Sequence, residues 1–186
     1  MGSETPEGLT AEASGLMDRG MYPEALERMD RALRLAPGNP GLLGNKALVL
    51  HEMGRNAESL ACCTEALVAL PGDPGLLTNA ALALCGLERY EEAVVRLDAA
   101  LKASPGHPAI LCTRASPLLM LGRKEEALAS CDAALKSEPG NATMLANRAA
   151  VLHELGRDAD ALACCKEALE IDPGEGLALE IQRELA

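Results

Sequence analysis

Five Pro-Gly dipeptides, at Pro37, Pro71, Pro105, Pro139 and Pro173, follow one another at intervals of 34 residues with no insertion in the register. A fixed period of that length means a small unit used repeatedly, not one continuous core. Five units fill residues 6–39, 40–73, 74–107, 108–141 and 142–175, leaving a leader at residues 1–5 and a tail at residues 176–186. Within the second unit Leu43, Ala47 and Leu50 recur at i, i+4 and i+7, which predicts one face of a helix. Gly54 interrupts, and Leu60, Cys63, Ala66 and Leu67 form a second helical pattern that Pro71 stops. Each unit therefore predicts a helical hairpin. The next helix opens on a cap followed by proline: Asn39 and Pro40, Asp73 and Pro74, and more weakly His107 and Pro108. Asn141 in "NAT" reads as a further helix cap.

Two short helices cannot bury their apolar faces alone, so stability must come from stacking on neighbours. The tail "GLALEIQRELA" suits that need. Leu177, Ile181 and Leu185 form an apolar stripe, while Glu180, Arg183 and Glu184 face away as in a terminal capping helix.

The full pattern, Leu145, Ala149, Leu152, Gly156, Ala161, Cys165, Ala168, Leu169 and Pro173 in the fifth unit, resembles the tetratricopeptide repeat (TPR). The resemblance covers nearly the whole chain and implies an all-α fold: an α-solenoid of five 34-residue helical hairpins, a TPR superhelix, with a C-terminal capping helix. Two departures stand out. Leu43, Leu77, Leu111 and Leu145 replace a frequent Trp, and Met29, Cys63, Leu97, Cys131 and Cys165 replace a frequent aromatic residue. The chain has no Trp and no Phe, so its core rests on Leu, Ala, Met and Cys.

The net charge of −11 and the lack of any basic run argue against a nucleic-acid surface. No apolar run is long enough for a membrane span, and the start lacks a signal-peptide pattern. A cytoplasmic protein with seven reduced thiols is the expectation. Acidic residues gather at the start of each second helix (Glu24, Glu58, Glu91 with Glu92, Glu125 with Glu126, and Asp160), where they complement the helix dipole. No nucleophile, phosphate-loop or zinc-peptidase motif occurs. The pairs Cys62–Cys63 and Cys164–Cys165 point about 100° apart on a helix, poorly placed for a shared metal or a disulfide. They read as small buried hydrophobes, with Cys62 and Cys164 the more exposed members. No enzyme, no cofactor and no metal site is expected.

The family resemblance implies that the first helices line a concave groove holding a peptide or protein segment. The matching positions are Asn45, Leu48 and His51; Thr78, Asn79 and Leu82; Cys112, Thr113 and Ser116; and Asn147, Ala150 and His153. Members that clamp a C-terminal carboxylate use cations there, but the corresponding positions here are Gly44, Leu48, Ala109 and Thr113, which exclude that mode. Asn45, Asn79 and Asn147 resemble a ladder that holds a peptide backbone, since one carboxamide both donates and accepts; the alternative is a locally satisfied asparagine. His51 and His153 read equally as groove donors or packing residues. In the fourth unit Pro117 cannot donate to the Thr113 carbonyl, which predicts a bend in the groove wall. The functional expectation is a non-catalytic adaptor; the alternative is a self-assembly scaffold that works through array ends or convex faces.

Overall fold

Proline at the first position of a helix costs no hydrogen bond, and a preceding polar side chain satisfies the free N–H groups. In the computed structural model, which describes residues 4–185, that logic starts three of the six odd-numbered helices. Eleven helices form and no strand is present among the described residues. They are α1 (Pro6–Met17), α2 (Tyr22–Leu35), α3 (Pro40–Glu52), α4 (Asn56–Ala69), α5 (Pro74–Gly86), α6 (Tyr90–Ala103), α7 (Pro108–Met120), α8 (Lys124–Ser137), α9 (Ala142–Glu154), α10 (Asp158–Ile171) and α11 (Gly176–Glu184). Residues 1–3 of the expected leader and residue 186 of the tail lie outside the described residues.

Asn39 Oδ1 accepts from the N–H groups of Gly41 and Leu42, Asp73 Oδ1 from that of Leu76, and Asn141 Oδ1 from that of Met144. His107 makes no capping bond, because an imidazole lacks the short side-chain oxygen that reaches those N–H groups. The turn after each odd-numbered helix of a pair closes with a six-to-one bond, as from the Arg55 N–H to the Leu50 carbonyl at 2.8 Å, and Gly54 takes a φ of 71° there.

The chain divides into two compact units between Ala103 and Ser104. In the first, Val49 packs against Ala13, Leu16, Ala25 and Met29, and Leu42 against Leu9 and Ala32, so the second hairpin docks on the first. Cys63 is buried with Ala47 and Ala80, filling with a small thiol the place of a larger side chain. The first hairpin carries Gly8 and Gly15 where the next carries Leu42 and Val49, so that face is stripped of docking side chains. In the second unit Leu145, Ala149, Leu152, Cys165 and Ala168 form a core that Ala178 and Ile181 of α11 close.

Pro117 holds the repeat position of Val49, Ala83 and Val151, and like them it is buried. Helix α7 is continuous through it from Pro108 to Met120. The ring thus replaces a packing side chain, which offsets part of the roughly 3 kcal/mol that an interior proline costs a helix.

Candidate functional site

In each unit the odd-numbered helices carry the predicted site residues, on α3 and α5 in the first and on α7 and α9 in the second. In the first unit, Asn45 is exposed on α3 and its carboxamide makes no hydrogen bond among the described residues. With half-buried Leu48 it lines a pocket of about 310 Å³ whose walls also include Met17, Met29 and Ser14, with Asp18 at the end of α1. A shallower depression of about 190 Å³ is shared by Asn45, Asn79 and Gly44.

Asn79 is held differently. Its Nδ2 donates to the Gly44 carbonyl of the preceding hairpin at 3.1 Å, and a side chain at residue 44 would meet Leu76 Cδ2 at 2.7 Å. Gly44 therefore admits both Leu76 and the Asn79 amide to the α3 backbone. Thr78 Oγ1 donates to the Pro74 carbonyl, and Leu82 is half-buried; neither lines these pockets.

In the second unit, Ser116, Asn147 and Ala150 line a pocket of about 160 Å³ with Ala115, Leu119 and Leu177. Asn147 Nδ2 contacts Cys112 Sγ at 2.9 Å, the counterpart of the Asn79 bond with sulfur in place of a carbonyl. Burial pushes the Cys112 thiol above its usual range, and the Asn147 contact opposes this in part, so it stays a thiol at neutral pH. Thr113 Oγ1 donates to the Ala109 carbonyl. Cys112 and Thr113 stand outside the 160 Å³ pocket.

The two histidines tie the turn of their hairpins. His51 Nδ1 lies 2.8 Å from Asn56 Oδ1, and His153 Nδ1 lies 2.8 Å from Asp158 Oδ1. Both bonds span five residues, from the last turn of one helix to the first residue of the next, a relation that 3.6-residue periodicity does not reveal. Asp158 raises the His153 pKa above its ordinary value, with smaller contributions from Glu184 and Glu154.

Four acids at the start of second helices have a partner that charge counting missed. Arg55, Arg89, Arg123 and Arg157 each donate to the acid three residues on, Glu58, Glu92, Glu126 and Asp160, at 2.6 to 2.9 Å. The guanidinium groups hold the Glu58, Glu92 and Glu126 carboxyls below the usual carboxylate range. The signal was present in the sequence as a recurring Arg-x-x-acid at the same 34-residue interval.

Cys62 is half-buried beside buried Cys63, as expected, but Cys164 is buried together with Cys165. The cause is Arg148, whose guanidinium reaches both Asp132 Oδ1 at 2.7 Å and Cys164 Sγ at 2.9 Å. At the matching place Lys46 has a single ammonium, which is taken by Asp30 at 2.7 Å. Burial raises the Cys63 and Cys131 pKa values to about 12, removing them as nucleophiles. Among the described residues, no three His, Cys, Asp or Glu side chains come together where they could hold a metal ion. No helix among them is long and apolar enough to cross a membrane.

Residues 15–114 match the family described as Psidin, N-terminal TPR repeats region, and residues 112–176 match the family described as Tetratricopeptide repeat. No curated protein matches the sequence significantly. Among solved structures, a thermophilic TPR protein of Thermus thermophilus is similar at 23% identity and a TM-score of 0.87, over 97% of this chain and 96% of that one. YrrB, described as a TPR protein with an unusual peptide-binding site, is similar at 22% identity and 0.66, over 95% and 91%. A tetratricopeptide repeat protein of Parabacteroides merdae is similar at 21% and 0.73, over 97% and 72%.

Proposed function

Since the chain belongs to the tetratricopeptide repeat family, we propose that it is a non-catalytic adaptor that holds an extended peptide or protein segment against the faces that the odd-numbered helices form in each unit. The observation that carries this reading is Asn45: an exposed carboxamide without a partner among the described residues, set beside a 310 Å³ pocket lined in part by Met17, Met29 and Leu48. A peptide amide brings one donor and one acceptor, and a free carboxamide replaces the water bound to both. Leu48 and Met17 supply apolar area for alternate side chains of the segment. The similarity to YrrB supports the fold on which such a reading rests.

The asparagines divide the labour. Asn79 and Asn147 are engaged with the preceding hairpin and act first as struts, whereas Asn45 is available to a ligand. Pull-down from a lysate tests this. Asn45→Ala combined with Leu48→Ala is expected to weaken capture about tenfold or more, the loss expected for an anchor residue, and Ala150→Glu is expected to weaken contact with the second unit. Capture that survives all three changes in a folded protein contradicts the adaptor reading.

A second reading, self-assembly through the even-numbered helices, has its own observation. Val68 on α4 and Val95 on α6 are 83% and 65% exposed, the two most exposed large apolar groups among the described residues. Concentration-dependent sedimentation that is abolished by Val68→Asp with Val95→Asp would favour it over the adaptor.

A further inference from the structure

Asp18 and Glu52 stand at the same place in successive repeats, at the C-terminal ends of α1 and α3. A carboxylate there faces the negative end of the helix dipole, where lysine or arginine would be the stabilising choice. Both are exposed, and neither has an ion-pair partner among the described residues. The neighbouring cations are committed elsewhere. Arg19 Nε donates to the Gly15 carbonyl at 2.9 Å, Lys46 pairs with Asp30, and Arg55 is gripped through two nitrogens by Glu58. A local preference is thus violated twice at one position without compensation inside the fold, as is expected where a residue serves function at the expense of stability.

Asp18 also borders the pocket in which Met17, Met29 and Leu48 supply the apolar wall and Thr10 and Ser14 add hydroxyl groups. That combination selects a long side chain with an apolar stem and a cationic head, because the stem can cover methionine and leucine while the head stays at the wet rim. Resting on the peptide reading above, we propose that this pocket is a specificity subsite for an arginine or lysine of the bound segment. Its head pairs with the Asp18 carboxylate, and Asn45 holds the adjacent backbone amide. Glu52 offers a second acid one repeat further along, so the preferred segment is basic and extended. At the matching positions in the second unit, Met120 carries no charge and Glu154 is paired with Lys124, so cation selection belongs to the first unit.

The probes are short fluorescein-labelled Ser-Leu peptides carrying one central arginine, norleucine or glutamate, measured by fluorescence polarisation on the full chain. The arginine peptide should bind at least about tenfold more tightly than the norleucine peptide at low salt and lose that margin as salt rises. Asp18→Asn should remove the margin without lowering the midpoint of thermal unfolding, since the dipole gains from the change. Asp18→Lys should turn the preference toward glutamate. Equal binding of the arginine and norleucine peptides, or an unaltered margin in Asp18→Asn, overturns the subsite. If the two peptides bind equally and Asn45→Ala with Leu48→Ala weakens both, the peptide reading survives without cation selection. If no probe binds and those same changes leave lysate capture intact, both readings fall.

Discussion

Glu88 has a φ of 59° in the turn after α5, where the other hairpins place Gly20, Gly54, Gly122 and Gly156. The turn is otherwise intact, with the Arg89 N–H donating to the Leu84 carbonyl at 2.9 Å, so the backbone imposes this conformation on a side chain that disfavours it. A left-handed conformation costs an ordinary residue about 1–2 kcal/mol, and glycine gives part of that back through its freer unfolded chain. Glu88→Gly is therefore expected to stabilise the protein by about 0.5–1 kcal/mol, read from the urea midpoint; a lower midpoint would mean that the Glu88 side chain is held by something outside the turn. The repeat pattern exposes such a departure at once, because four glycines mark the position. It says nothing of Cys164, whose burial depends on whether the residue at 148 ends in a fork or a point charge.

Helix α11 shows what an apolar stripe predicts and what it leaves out. Spacing alone pointed to Leu177, Ile181 and Leu185, and Ile181 is buried with Ala178 against α9 and α10, with the two leucines half-buried beside it. The polar side of the contact was illegible. His153 Nε2 lies 3.9 Å from Glu184 Oε2 while its Nδ1 meets Asp158, so one imidazole links three helices. Because folding raises the pKa of His153, the imidazolium is favoured in the folded state. Its contribution is fully present below the unfolded value of about 6.5 and fades as pH rises through the higher folded value. Amide protection in α11 should thus be greater at pH 6 than at pH 8, and His153→Gln should remove the difference. Equal protection at both pH values in the parent protein would rule the link out.

Across the whole chain, the sequence exposes whatever repeats and hides whatever joins one repeat to the next. Helix positions, capping residues and the apolar face all follow from a 34-residue period, since each is a local demand made again in every hairpin. Of the predicted groove residues, Asn45 and Leu48 share one pocket and Ser116, Asn147 and Ala150 another. The engagement of Asn79 with Gly44, 35 residues earlier, required the packed hairpins to be seen. A similar contact couples two further sites. A Cβ on Gly86 would lie 2.2 to 2.6 Å from the carboxamide of Asn56, the same group that meets the His51 ring. Gly86→Ala alone should destabilise the chain by up to about 1 kcal/mol, since the Asn56 carboxamide is a movable side-chain end that can swing away only by giving up its bond to His51, whereas in an Asn56→Ala background it should stabilise by up to about 1 kcal/mol, because alanine is the better helix former. A double-mutant cycle in urea measures both, and additivity would sink the idea. A substitution that is harmful or helpful according to its neighbour is sign epistasis, so neutral drift at residue 86 has to wait for a change at residue 56, and the order of accepted mutations here is written into the packing.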